Sequence, residues 1–329
     1  MANNLWKITA RPPHDFFLCL DVESYFDHEH QPERILDEGF TRPLPLPERD
    51  ILVTIHFNGN PENPEFTVNA HDSLTETERE AADDTVRRIL GTDIDLAPFY
   101  EQAADDPVLA PLFQELYGLK RVSRAHLFED AVNRIIRTQI KHKPTARRMV
   151  YDVRSAYGTR LETSKGMIPA WPRPERLVSA DPSSMMKHGL SRRKGEYLTG
   201  LAHELLHGEL AGTHGNSGGS VHQALKKLEN MPPVKFYEKM VSIRGIGPTT
   251  AQDLMLFRNR SDGVFPSNRE RGREKALRRW IILSYGGNPD RCTEEAFQEM
   301  IRMWQGYEAA ALEFLYVGWV LSEKRSLSQ

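Results

Sequence analysis

Cysteine is nearly absent from this chain. Only Cys19 and Cys292 occur among 329 residues, which fits a reducing compartment and falls short of the four thiolates an iron–sulfur cluster takes. Long apolar runs are missing too. Nowhere do about 18 consecutive apolar residues occur, as a membrane-crossing helix needs, and the opening "MANNLWKITA" has neither the basic nor the apolar region of a secretory signal. No repeat or low-complexity tract stands out. These absences exclude membrane spans, disulfide-framed scaffolds and redox clusters, and they predict a soluble, cytoplasmic protein with no membrane partner. With 39% hydrophobic and 27% charged residues, the chain can bury a sizeable core in two or three subdomains.

A net excess of charge is also lacking, but the formal value of −3 hides a split. Residues 1–120 hold 9 Lys+Arg against 24 Asp+Glu, a formal −15, whereas residues 121–329 hold 34 against 22, a formal +12. An acidic part carried beside a basic one suits a polyanion-binding protein, although a solvated acidic face gives the same count. The pattern divides at the same place. "DILVTIHF" and "PEFTVNAH" are β-rich runs separated by the turn-forming "NGNPEN", which predicts a small antiparallel sheet. A helix from Thr75 to Leu90 follows. After "DDPVLAPLFQELYG" the periodicity is helical almost throughout: 127–139, 145–157, 174–180, 194–206, 220–228, 275–285, 294–304 and 307–321. The expected class is α+β, with a small N-terminal antiparallel sheet domain, residues 1–120, packed on an all-α body, residues 121–329.

The most specific local signal is "SIRGIGPTTAQDLMLF". Gly245, Ile246 and Gly247 separate two segments with one apolar face each, Val234–Val241 and Thr249–Phe257, which reads as a helix-hairpin-helix across residues 234–257. Gly245 and Gly247 permit left-handed dihedrals and close approach of a nucleic-acid backbone. Thr249 or Thr250 is expected to cap the second helix, whose free N–H groups and positive dipole end suit a phosphate. An ordinary tight helix-helix turn is the plain alternative.

Several segments together resemble the helix-hairpin-helix DNA glycosylases, and in particular the AlkA-like group (3-methyladenine DNA glycosylase II). They are "DDPVLAPLFQELYGLK", "LFEDAVNRIIRTQI", the stretch from "RPERLVSADP" to "HELLHGEL", the hairpin itself, and "WQGYEAAALEFLY". The resemblance implies a DNA-repair enzyme that flips a damaged, alkylated or deaminated, purine out of duplex DNA and cuts its N-glycosidic bond without a cofactor, working as a monomer. It implies a wedge side chain at Gln139, with Lys141, His142 and Lys143 near phosphates; a plain helix-to-helix turn with solvated charge is the alternative. The charge run Arg192, Arg193 and Lys194 offers a second phosphate patch or simply a solvated face. The resemblance further implies that the backbone carbonyls of Val241, Ile243 and Ile246 can bind a monovalent cation.

Two departures from the family pattern matter. The family places a catalytic aspartate after a "VFP" turn. Counting forward from Phe265 puts Arg269 there, counting back from Gly272 puts Glu270 there, and one extra residue in the turn reconciles the two. Glu270 is the expected carboxylate, with Arg269, Arg271 and Arg273 gripping the strand; an ion-paired, solvated helix start is the alternative. In the hairpin, the place of the Schiff-base lysine of bifunctional members is Thr249, which predicts a monofunctional enzyme. The residue four further on, commonly aromatic in alkylbase members, is Asp253, a candidate for base contact or for catalysis and equally for a structural ion pair. Two other functions stay open: a non-catalytic DNA-damage binder of the same fold, and a zinc hydrolase built on "HELLH", His203–His207, which still lacks a third ligand beyond the nearby His214.

Overall fold

A computed structural model of the chain describes residues 4–25, 34–36, 38–163, 166–208, 221–258, 260–263 and 273–327. Near the N-terminus, β1 (Leu5–Thr9), α1 (Phe16–Tyr25), β2 (Arg34–Leu36), β3 (Gly39–Pro45), β4 (Asp50–Phe57) and β5 (Glu65–Ala70) follow one another. The strands form one antiparallel sheet in the order β1-β5-β4-β3-β2. β5 alternates strictly, with Phe66, Val68 and Ala70 inward, and Phe57 lies opposite Phe66. Phe16 of α1 packs its ring against Phe40, Phe57 and Phe66 at centroid distances of 6.0, 5.4 and 5.3 Å. Each such buried ring contributes about 1.5–3 kcal/mol of hydrophobic stabilisation.

α2 (Glu76–Leu90) has well-formed ends. Thr75 accepts the Glu78 N–H while the Glu78 carboxylate accepts the Thr75 N–H, and Gly91 closes the other end at φ 64°. Its Val86, Ile89 and Leu90 join the sheet's core, as do residues from α3 (Ala97–Gln102) and from the segment around α4 (Ala110–Phe113).

A second core is built from α5 (Leu127–Arg137), α6 (Lys143–Tyr157), α7 (Pro174–Val178), α8 (Arg192–His207), α9 (Val221–Glu229), α10 (Pro233–Ser242) and α11 (Pro248–Leu256), with a short hairpin of β6 (Arg160–Thr163) and β7 (Gly166–Pro169). Ile136, Leu198, Phe236 and Leu254 lie at its centre. The chain then returns. α12 (Arg273–Ser284), α13 (Glu294–Met300) and α14 (Glu308–Leu327) bury Ile281, Phe297 and Phe314 in the first core, together with Trp304 from the 3₁₀ turn between α13 and α14, so the C-terminal helices pack with residues 6–125.

The two cores meet across a buried ionic seam. Arg88 on α2 lies 2.8 Å from Glu229 on α9 and 3.6 Å from Asp130 on α5, and it donates to the carbonyl of Phe257 at 2.9 Å. Arg124 pairs with Asp130 at 3.0 Å, and Arg42 on β3 with Glu129 at 3.4 Å. Burial pushes the Glu129 and Asp130 carboxyls up, and the neighbouring guanidinium groups oppose that shift.

Candidate nucleic-acid interface

The turn between α10 and α11 is closed by the Ile246 N–H donating to the Ile243 carbonyl at 3.0 Å. Gly245 sits at φ 98°, and a Cβ placed there would run into the ring of Tyr197. Both its conformation and its neighbour therefore require glycine. The cap of α11 differs from the expectation: it is Gly247, and no side chain caps the helix. Thr249 and Thr250 are the second and third helical residues, because Pro248 has φ preset for the first position and no N–H to satisfy. The N–H groups of Thr249 and Thr250 thus lack acceptors within the helix. A Cβ built on Gly247 meets nothing within 4 Å. An open helix start of this kind is an anion site.

The start of α8 ties this turn to a second one. Tyr197 packs on Gly245, and the guanidinium groups of Arg193 and Arg244 approach its ring at 5.5 and 5.8 Å. Arg244 also reaches Glu196 at 3.4 Å, and the exposed Arg192 lies 3.5 Å from the same carboxylate. One turn earlier, Lys194 points inward and donates to the carbonyls of Ile136 at 2.6 Å and Thr138 at 2.7 Å. Lys194 is therefore not part of an open phosphate patch. Those carbonyls end α5, and the next residue is Gln139, exposed and at φ 66°. Lys141 and Lys143 follow, both exposed. The Gln139 turn, the first turns of α8 and the hairpin turn hence lie side by side, with Arg192, Arg193, Arg244, Lys141 and Lys143 around them.

Behind this face runs a ladder of charge and aromatic contact. Arg134 on α5 lies 3.5 Å from Asp253 on α11, which is only 8% exposed. Arg134 and Arg121 approach the ring of Phe257, each at 5.0 Å, and Arg121 pairs with Glu313 on α14. Arg121 and Glu313 line a cavity of about 40 Å³ together with Lys120, Arg260, Leu96 and Ala310. The chain passes this cavity at Ser261, whose carbonyl accepts the Ala309 N–H at 2.8 Å, and Gly263 donates to Glu308 at 3.1 Å.

No family model matches the chain. Curated relatives do. A 174-residue stretch is 28% identical to the DNA-3-methyladenine glycosylase of Bacillus subtilis (strain 168), covering 53% of this chain and 53% of that protein. Over 182 residues it is 29% identical to DNA-3-methyladenine glycosylase 2 of Escherichia coli (strain K12), covering 53% and 63%. The chain thus matches between half and two thirds of the length of these relatives. The fold of the 3-methyladenine DNA-glycosylase from Archaeoglobus fulgidus extends over 95% of this chain and 97% of that one, with a TM-score of 0.71 at 20% identity. The likeness in sequence to these glycosylases and the shared fold support the AlkA-like group of the helix-hairpin-helix DNA glycosylases.

Of the two hairpin positions singled out by the resemblance, Thr249 lies in the first turn of α11 and Asp253 is held by Arg134. Glu270, Arg269 and Arg271 lie outside the described residues. His203 and His207 are on the exposed side of α8 with ring centroids 5.3 Å apart, and His214 lies outside the described residues. Among the described residues no three His, Cys, Asp or Glu side chains form a metal site.

Sequence reasoning missed Tyr197 and Arg244 at the hairpin and Arg134, Phe257, Arg121 and Glu313 behind it. A signal existed for Arg134: an arginine set among the largely apolar residues of "AVNRII" has to find a carboxylate or a ring once the helix is packed.

Proposed function

We propose that this chain is a monofunctional DNA glycosylase that works as a cytoplasmic monomer on duplex DNA carrying a damaged purine, alkylated or deaminated. The observation that carries this reading is the shared face: an uncapped helix start at Gly247, the outward Gln139 turn and five cationic side chains lie together. Phosphates would take the N–H groups of Thr249 and Thr250 and the cationic groups, which position the duplex without reading its sequence. Gln139 would fill the gap left by the flipped nucleotide. The carbonyls of Val241, Ile243 and Ile246 would hold a monovalent cation. Neutral oxygens from one turn suit a hard ion, and the Ile243 carbonyl keeps a second lone pair beside the Ile246 N–H it accepts.

In the chemical step a water oxygen bonds to the sugar C1′ as the C1′–N bond breaks, and the departing base takes the electron pair and a proton. A carboxylate must stabilise the positive charge that develops on the sugar. Asp253 suits this poorly, because Arg134 already offsets its charge at 3.5 Å. Glu270 is the assigned carboxylate, with Arg269 and Arg271 gripping the flanking phosphates. Glu270→Gln is expected to lower base release by about 10²- to 10³-fold with duplex binding retained, and Asp253→Asn to lower it far less. The measurement is release of free base from a panel of lesion duplexes. If Asp253→Asn alone abolishes release, Asp253 is the catalyst. If the parent binds every lesion and releases none, the chain is a damage binder.

A further inference from the structure

Among the described residues Gln139 is the only one other than glycine with positive φ. The turn around it is that of a type II β-turn: Thr138 at φ −51°, ψ 131°, Gln139 at φ 66°, and the Ile140 N–H donating to the Arg137 carbonyl at 3.0 Å. That turn type favours glycine at its third position, and glutamine there is held against its preference. Nothing in the local sequence "RTQIK" explains why the chain accepts it.

The explanation comes from another helix. The Lys194 ammonium reaches across from the first turn of α8 and binds the carbonyls of Ile136 and Thr138, two of the orphan acceptors at the end of α5. A cation at a helix C-terminus also meets the negative end of its dipole. Thr138 adds a bond from its own hydroxyl back to the Arg134 carbonyl at 2.6 Å. The carbonyl of Thr138 belongs to the peptide bond leading into Gln139, so fixing that oxygen fixes the plane from which Gln139 departs.

We propose that Lys194 is a positioning residue that locks the Gln139 turn in its strained, outward form and so keeps the wedge ready before DNA arrives. The inference rests on the flipping role proposed for Gln139. Preorganisation of this kind lowers the ordering cost at the moment of duplex invasion. Lys194 acts on the DNA only through the turn and does not touch phosphate. Its partly buried ammonium, with its pKa held below the ordinary lysine value by desolvation, is what a group turned inward onto carbonyls should show.

The test compares Lys194→Met, which keeps the stem and removes the donor, with Lys194→Arg, which keeps a donor and a charge. Flipping is followed by 2-aminopurine fluorescence in a lesion duplex, overall affinity by titration at several salt concentrations, and the turn itself by hydrogen exchange of the Ile140 amide in the free protein. Lys194→Met is expected to speed Ile140 exchange and to reduce flipping by about tenfold, with duplex affinity changed by less than about twofold and an unchanged salt slope. Lys194→Arg should recover most of both. In a Gln139→Gly background, where positive φ costs little, Lys194→Met should disturb the Ile140 amide much less. Unchanged exchange and flipping in Lys194→Met overturn the proposal. So does a fall in affinity that matches the loss of flipping with a salt slope lower by about one, since Lys194 would then be a phosphate ligand. If the parent flips no base while Lys194→Met still loosens Ile140, the glycosylase reading fails and the clamp on the turn stands.

Discussion

His14 is completely buried beside Phe66, ring centroids 5.4 Å apart, and neither ring nitrogen has a hydrogen-bond partner among the described residues. Burial first, and then the nearby Lys120 charge, lower its pKa to about 3. The ammonium of Lys120 is itself lowered to about 8 by burial while it donates to the carbonyls of Arg11 and Ile94. The unfolded chain binds a proton at this histidine below about pH 6.5 and the folded chain does not until about pH 3, so its neutral form supports the fold above pH 6.5 and that support drains away as the pH falls. The slope is about 1.4 kcal/mol per pH unit for one proton. His14→Phe keeps a ring in the same space and takes up no proton. Urea unfolding between pH 6.5 and 4 should therefore show the variant losing stability less steeply than the parent, by about one proton's worth. Equal slopes would mean that His14 takes up its proton while still folded.

The helix-hairpin-helix separates demands of fold from demands of binding, and its two glycines report on each. Gly245→Ala has to hold φ 98° and displace the Tyr197 ring, so it should cost about 1–3 kcal/mol in unfolding measurements. Gly247→Ala has φ −84° and open space around it, so stability should change by less than about 0.5 kcal/mol while duplex affinity falls, because the new methyl group occupies the place where a phosphate would approach. A Gly247→Ala protein that binds as tightly as the parent would argue against the hairpin as the contact. Most elements were legible in the sequence because period and punctuation agree. Thr75 with Glu78 opens α2 and Gly91 ends it, "DILVTIHF" is β4, and the Gly-Ile-Gly turn lies where α10 meets α11. α1 and the β6–β7 hairpin were not read, since "FFLCLDVESY" carries no clear helical stripe and the β6–β7 strands have only four residues each. The segment expected as one helix from Glu294 to Trp304 breaks at Ile301 and tightens into a 3₁₀ turn, with the buried Trp304 donating to Tyr285 at 2.8 Å. Within the site, local spacing located the turns and the arginines of α8. It could not show that Lys194 faces α5, or that Asp253 meets Arg134, because both partners lie more than 50 residues away and only packing brings them together.

At the scale of the whole molecule, the acidic and basic parts seen in the composition are joined by charge as well as by apolar packing, and the contacts between α2 and α9 show which charges matter. Lys226 on α9 lies 3.0 Å from Asp84 on α2, with side chains 61% and 52% exposed. One turn along α9, Glu229 meets Arg88 of α2 at 2.8 Å with side chains 12% and 11% exposed, and Glu229 also accepts the Leu127 N–H at the start of α5. In water the first pair is screened and costs side-chain entropy, so Lys226→Met should alter stability by less than about 1 kcal/mol, and by less still in high salt. The second pair cannot be hydrated when broken. Arg88 would keep Asp130 at 3.6 Å, but it would face two cores with half its compensation gone. Glu229→Gln should therefore cost about 3 kcal/mol, with little change between about 50 mM and 500 mM salt, since ions do not reach the seam. Because Arg88 and Glu229 bridge α2, α5 and α9 at once, the loss should appear as a single weakened transition and not as release of one half. A loss below about 1 kcal/mol, or one that fades with salt like that of Lys226→Met, would show that the seam is hydrated and that apolar packing alone joins the two halves.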